Sequence, residues 1–169
     1  MFRTDDQLLI AFSTLASGEK NKFLALHENN NLAYKSRLMR IYKSNAFGDE
    51  HYSWIFLDFA RVNHSCAPNA EIAELQNEEN VKIVAVKPIA KGEEVFISYN
   101  GALEDGPRDL RQRAMKDAYG FDCDCATCHL QGRDAWLSDA RRQLIHVLSL
   151  KQQGFEYSPL TLMDNVGGT

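Results

Sequence analysis

The sequence is poor in glycine and proline, which supply 10 and 4 of its 169 residues. Such low contents exclude a collagen-like repeat and give no case for a disordered chain. Apolar runs are also short, and none approaches the roughly 20 residues of a membrane-spanning helix. The N-terminal stretch MFRTDDQLLIAFSTL lacks a basic leading region and a small-residue cleavage site, so it predicts no secretory signal. We therefore expect an intracellular protein of the nucleus or cytoplasm with no membrane association.

Positive charge is not in excess. The 19 lysines and arginines are outnumbered by 23 aspartates and glutamates, which gives a net charge of −4. This balance excludes nucleic-acid binding through bulk electrostatics, so we expect no direct nucleic-acid partner. A chain of 169 residues is long enough to form a domain with its own hydrophobic core without disulfides. We expect it to be a monomer.

Hydrophobic periodicity predicts helices near the N-terminus. The first 28 residues have a helical pattern, with Thr4 as a cap and Gly18 as a break. Leu38, Ile41 and Tyr42 indicate a further helix that ends near residue 45. These segments predict a helical N-terminal region.

The remainder of the chain mixes strand and helix signals. Val81–Val86 and Val95–Tyr99 predict two strands joined through a turn. A helix is predicted from Leu110 to Tyr119, with Gly120 at its C-terminal cap. Asp134 is predicted to cap a long final helix.

Four cysteines suggest a metal site. Cys123, Cys125 and Cys128 fall within six residues, whereas Cys66 lies far upstream. In a reducing compartment, clustered thiols bind metal more often than they form disulfides. A closed structural zinc site needs four ligands, so the fourth is either Cys66 or His129. The alternatives are ordinary buried thiols, or a redox pair, which is disfavoured because no C-x-x-C begins a helix in a βαβ pattern.

Three segments occur together in the order and spacing of a known family: NHSCAPN at 63–69, GEEVFISY at 92–99 and FDCDCATC at 121–128. In combination they resemble the signature of SET-domain protein methyltransferases. The resemblance is greatest to the branch shared by the SET/MYND-type proteins and many fungal SET proteins, and it covers about residues 31–130. It implies that a methyl group passes from S-adenosylmethionine to a lysine side chain of a protein, histone or non-histone.

The resemblance also implies a fold and a division of the chain. The implied fold is α+β with a mainly β core, in which small curved antiparallel sheets surround a pseudoknot that includes the NHSC segment. We expect four regions: a helical insert at 1–44, a partial SET core at 45–100, a post-SET zinc-binding region at 101–130, and a C-terminal helix and tail at 131–169.

Site residues follow from the same resemblance, position by position. It implies that the donor is bound by Asn45, Asn63, His64, Tyr99 and Phe121. Tyr99 is also the implied catalytic residue at the point of methyl transfer. One structural Zn²⁺ is implied, with the ligands Cys66, Cys123, Cys125 and Cys128.

The chemistry suits these residue types. Methyl transfer to an amine is an in-line displacement that depends on alignment more than on a nucleophilic side chain. The lysine must be neutral, and a narrow apolar channel lowers its pKa from the ordinary value of about 10.4. Trp54, Phe56 and Phe59 are candidates either for the walls of such a channel or for the core.

One family feature is missing. SET domains open with a strand segment that carries a G-x-G motif near the donor, and no G-x-G occurs in this sequence. We therefore expect a chain that begins inside the SET domain and binds the donor weakly or not at all by itself. A second hypothesis is a non-catalytic, zinc-stabilised interaction module on a SET scaffold. A nucleic-acid-binding zinc knuckle is disfavoured because Asp122 and Asp124 lie in the knuckle.

Overall fold

The computed structural model describes residues 4–48, 53–77, 80–99 and 105–154. The helices in these residues are α1 (Asp5–Thr14), α2 (Ser17–Leu24), α3 (Arg37–Asn45), α4 (Arg108–Tyr119), α5 (Ala126–His129) and α6 (Gly132–Gln152), with a 3-10 turn at Phe59–Arg61. The strands are β1 (Phe47–Gly48), β2 (Ser53–Trp54), β3 (Asn63–His64), β4 (Ala70–Asn77), β5 (Asn80–Ala85) and β6 (Phe96–Ile97). None of the described helices is both long and apolar enough to cross a lipid bilayer.

Side chains cap the starts of the first two helices. Thr4 caps α1 as predicted, because its hydroxyl oxygen accepts from the backbone N–H of Gln7 at 3.3 Å. The predicted break at Gly18 is wrong, since α1 ends at Thr14 and Gly18 lies in the first turn of α2. The carboxylate of Glu19 instead accepts from the backbone N–H of Ala16 at 2.9 Å, which begins the new helix before the glycine.

Helices α1 to α3 build the main hydrophobic cluster. Its buried side chains come from α1, from α2 and the residues just after it, and from α3: Leu8, Phe23, Leu26, Met39, Ile41 and Tyr42. A mainly β core was predicted, and that prediction is wrong for the described residues. Four of the six strands are only two residues long, so they present little apolar area for burial.

The strands form three separate two-stranded sheets. β1–β2 and β4–β5 are antiparallel, as predicted, but β3 and β6 pair in parallel, with Asn63 opposite Phe96 and His64 opposite Ile97. The predicted strands at 81–86 and 95–99 correspond to β5 and β6, which pair with β4 and β3 respectively. The parallel pair places the NHSC segment beside the residues that lead to Tyr99. The threading of a pseudoknot stays a prediction.

The two long C-terminal helices pack around the cysteine-bearing loops. α4 ends at Gly120 as predicted, with the left-handed φ of 83°. α6 begins at Gly132, so Asp134 lies in its first turn and is not the predicted cap. The negative charge of Asp134 there interacts favourably with the positive end of the helix dipole. The tail at 155–169 lies outside the described residues.

Candidate functional site

The four cysteines converge on one point. Cys66 follows β3, Cys123 and Cys125 precede α5, and Cys128 lies in α5. Their Sγ atoms all lie within 4.8 Å of one another, and the Sγ of Cys66 is 3.9 Å from that of Cys123 and 3.7 Å from that of Cys128. All four are free thiols, and three of them are buried. We refer to these four residues as the cysteine cluster.

The cluster fits a tetrahedral metal ion. Zinc with Zn–S bonds of about 2.3 Å separates its sulfur ligands by about 3.8 Å, close to the two Sγ–Sγ distances above. Among the described residues the ligand group consists of the four cysteines, and His129, the alternative fourth ligand, is exposed. The cluster can therefore hold a metal ion, and the geometry favours Cys66 over His129 as the fourth ligand.

Thiol electrostatics also suit a cation. Burial raises the pKa of the Cys123 thiol to about 12, and hydrogen bonding to Cys125 raises that of Cys128. Hydrogen bonds from Cys128 and Cys66 lower the pKa of Cys125. A bound dication would let the other thiols lose their protons, because metal ions bind the thiolate form.

A cavity of about 450 Å³ collects four of the five predicted donor-binding residues. Asn45, Asn63, Tyr99 and Phe121 all line it. The amide nitrogen of Asn45 donates to the carbonyl of His27 at 2.7 Å, and that of Asn63 donates to the Glu94 carboxylate at 2.6 Å. Both asparagine side chains are therefore held in fixed orientations at the cavity wall.

A smaller cavity of about 280 Å³ adjoins the first. Asn45, Tyr99 and Tyr119 line both cavities, so the two share a wall. Phe47 lines the smaller cavity, and its ring packs on those of Phe56 and Phe59 with centroids 6.3 and 5.1 Å apart. Two of the predicted aromatics thus support a cavity wall from behind. Two compartments that share a wall with Tyr99 in it can hold two reactants.

Tyr99 is fixed at this shared wall. Its hydroxyl donates to the carbonyl of Val62 at 2.7 Å, and its carbonyl accepts from the Tyr119 hydroxyl at 3.2 Å. Burial raises the pKa of Tyr99 to about 12, so the hydroxyl stays protonated at neutral pH. Since its proton is used by Val62, the lone pairs of the Tyr99 oxygen remain to accept a hydrogen bond from a bound group.

His64 lies between the cavities and the cysteine cluster. Its Nδ1 accepts from the backbone N–H of Tyr99 at 3.2 Å, and its Nε2 lies 3.5 Å from the Sγ of Cys66. Burial lowers the pKa of His64, which favours the neutral ring with its proton on Nε2, directed at the sulfur. Its ring also packs on Phe121. The side chain thus supports the cavity lining from behind rather than forming part of it.

Three residues at the site were not singled out by sequence reasoning. His27 and Tyr119 line the larger cavity, and the Nε2 of His27 lies 2.6 Å from the carbonyl oxygen of Tyr119. Arg111 is buried beside the cysteine cluster. Tyr119 had a usable signal, because Tyr119 and Phe121 flank the helix-ending Gly120. The sequence around His27 and Arg111 gave no comparable signal.

Comparisons with known proteins point to one family. The family model of the SET domain matches residues 6–100, more than half of the chain. Histone-lysine N-methyltransferase SET5 of Saccharomyces cerevisiae (strain YJM789) is 38% identical over 84 residues, which cover 50% of this chain and 15% of the relative. N-lysine methyltransferase SMYD2 of Gallus gallus is 42% identical over 82 residues, which cover 48% of this chain and 18% of the relative. Protein-lysine N-trimethyltransferase SMYD5 of Danio rerio is 37% identical over 84 residues, which cover 49% of this chain and 20% of the relative. Each match therefore spans a fifth of the relative or less.

Proposed function

The chain belongs to the SET-domain family, and on that premise we propose that it is a protein-lysine methyltransferase that uses S-adenosylmethionine. The observation that carries the proposal is the position of Tyr99 on the wall shared by two adjoining cavities. The similar proteins are lysine methyltransferases by name, which favours this function over a non-catalytic interaction module.

The larger cavity is the proposed donor site. S-adenosylmethionine, when bound, supplies a methyl group on a positively charged sulfur. Asn45 and Asn63 present fixed amide groups at the wall, and Phe121 presents an aromatic face suited to stacking on a base. Tyr99 and Tyr119 add further rings to the same wall, and ring faces attract a cation. His64 contributes through its hydrogen bond to Tyr99, which holds the tyrosine in place.

The smaller cavity is the proposed channel for the lysine side chain. Phe47, Ile72 and Tyr119 form an apolar part of its lining, which disfavours an ammonium ion and so favours the neutral amine. Polar side chains also line the cavity: Ser44, Asn45 and Ser98. The Tyr99 oxygen accepts a hydrogen bond from the amine and thereby directs its lone pair. The protein thus contributes alignment and exclusion of water, and no side chain acts as a nucleophile.

The cysteine cluster is the proposed structural zinc site, formed between the SET core at 45–100 and the post-SET region at 101–130. Asn63 lies three residues before Cys66, and Phe121 lies two residues before Cys123. The metal would therefore join two segments that each supply a residue to the donor cavity. We assign the helices at 1–44 to an insert that supports Asn45, and residues 131–169 to a C-terminal region beyond the site.

A radiolabelled-methyl assay tests the proposed activity. It uses the zinc-loaded protein in its longest natural form, with core histones and a panel of non-histone proteins as acceptors. Tyr99→Phe should lower the rate by about 100-fold, because the amine loses its orienting acceptor. Tyr34→Phe is the matched control, since Tyr34 is exposed. Equal rates for wild type and Tyr99→Phe, or no transfer to any acceptor, would contradict the proposal.

Calorimetric titration with S-adenosylhomocysteine tests the donor site separately from catalysis. Asn63→Ala should weaken binding, whereas Asn30→Ala, at an exposed loop position, should not. Because the sequence has no G-x-G, we expect this 169-residue chain alone to bind more weakly than the low-micromolar range. Binding that is insensitive to Asn63→Ala would place the donor elsewhere.

A further inference from the structure

Arg111 is an unusual buried cation. Its side chain is only 3% exposed, on the face of α4 that also carries Met115 one turn later. Met115 packs against Cys66, Cys123 and Cys128, so this face of α4 covers the cysteine cluster. A guanidinium remains charged at every physiological pH, and burying it without an anionic partner is costly. The surroundings of Arg111 must therefore supply negative charge.

Protein carboxylates and carbonyls satisfy only part of this side chain. Its Nη1 donates to the carbonyl of Gly106 and, at 3.2 Å, to the Oδ1 of Asp139 on α6. Its Nε and Nη2 are buried and have no hydrogen-bond partner among the described residues. Two donor nitrogens thus remain to be paired.

The cysteine cluster lies against the same buried face of α4 and can supply the negative charge that these donors need. Burial alone lowers the pKa of Arg111, but hydrogen bonding and charge from the Cys66 sulfur, together with Asp139, outweigh it and raise that pKa. The negative charge of Cys128 acts in the same direction. A zinc ion with four thiolates carries a net double negative charge, which is the kind of partner that a buried guanidinium needs.

We propose that Arg111 is the counter-charge of the metal–thiolate cluster and that, through its ion pair with Asp139, it couples metal loading to the docking of α6. The inference rests on the proposed zinc site. In the metal-loaded site Nε and Nη2 would donate to the thiolate sulfurs, while Nη1 holds Asp139. Arg142, also on α6, donates to the carbonyl of Cys66 at 2.7 Å, so α6 contacts the site at two points. Loss of the metal removes anionic charge from around Arg111 and loosens the packing of α6.

Zinc affinity measured by competition with a chromophoric chelator tests the role of Arg111. Groups that support metal ligands typically contribute about 10- to 100-fold to metal affinity, and Arg111→Met should weaken zinc binding by that factor. Arg113→Met is the matched control, because it removes the same charge from the same helix at an exposed position. It should change the affinity by less than about threefold, since exposed charges interact weakly. If Arg111→Met stays within threefold of Arg113→Met, the proposal is wrong.

Two further variants keep the test decisive if Arg111→Met does not fold. Arg111→Lys retains the charge but not the planar set of donors, so its zinc affinity should also fall below that of Arg113→Met. Asp139→Asn keeps every metal ligand and should reduce hydrogen-exchange protection along α6 in the zinc-loaded protein. Unchanged affinity in Arg111→Lys, or unchanged α6 protection in Asp139→Asn, would overturn the proposal. A wild-type protein that binds no zinc would refute the metal site itself, independently of methyl transfer.

Discussion

Replacement of Gly120 by alanine is expected to destabilise the protein through two separable effects. Gly120 ends α4 with a φ of 83°, a conformation that residues with a Cβ rarely adopt. A Cβ at this position would also lie 2.5 Å from the Oδ1 and 2.8 Å from the Cγ of Asn29. The first effect depends on the backbone alone, and the second depends on the neighbour.

The structure gives a magnitude for each effect. The left-handed conformation costs a residue with a Cβ about 1–2 kcal/mol. Asn29 is buried, accepts from the backbone N–H of Asn31 at 2.9 Å and donates to the carbonyl of Asp117 at 3.3 Å. Moving its side chain disturbs both bonds, at about 0.5–1.5 kcal/mol each. We therefore expect a loss of about 2–5 kcal/mol in the free energy of unfolding for Gly120→Ala.

Gly92→Ala is the matched control. Gly92 has a φ of 90°, and a Cβ there would meet no atom within 4 Å, so this variant reports the backbone effect alone. Urea unfolding of the zinc-loaded protein should show Gly120→Ala less stable than Gly92→Ala by about 1–3 kcal/mol. Combining Gly120→Ala with Asn29→Ala should cost less than the sum of the two changes, because the clash is removed. Equal losses in the two glycine variants, or strict additivity, would refute the reasoning.

Two predictions concern the metal. Burial and hydrogen bonding raise the pKa values of Cys123 and Cys128, so both thiols are protonated at neutral pH without metal and must release their protons on binding. Zinc affinity should therefore rise by at least about 100-fold per pH unit near neutrality, and chelator competition at pH 6.5 and 7.5 with no pH dependence would contradict this. Cys66→Ser should weaken zinc binding strongly while His129→Gln leaves it unchanged, and the reverse order would make His129 the ligand.

Features set by contiguous residues were accessible from the sequence. The helix at 110–119 with its glycine cap depends on local periodicity and on one backbone conformation, and α4 appears with that cap. The spacing of Cys123, Cys125 and Cys128 brings three thiols together on one loop, and the structure adds Cys66. Four of the predicted donor-binding residues share a cavity, although their roles stay predictions.

Features set by tertiary contacts were not accessible. A two-residue strand has no periodicity, so the parallel pairing of β3 with β6 leaves no mark on the local sequence. Arg111 sits in a basic run that is typical of a solvated helix face, and its burial depends on where the cysteine loops and α6 lie. The boundary between α1 and α2 depends on Glu19, whose carboxylate accepts from the backbone N–H of Ala16. In the sequence, Gly18 is the more obvious signal for a helix break, and it predicts the wrong position.

The side chain of His64 connects the metal site to the proposed reaction point. Both ring nitrogens of His64 are engaged, with Nε2 toward the Cys66 sulfur and Nδ1 accepting from the backbone of Tyr99. Zinc bound at Cys66 would fix that sulfur, which would fix the ring of His64 and hence the backbone of Tyr99. A thiolate sulfur accepts the Nε2 proton better than a neutral thiol does, because it carries charge. Metal loading would therefore strengthen a hydrogen-bonded path from the cysteine cluster to Tyr99, so a zinc ion with no access to the reactants still bears on their alignment.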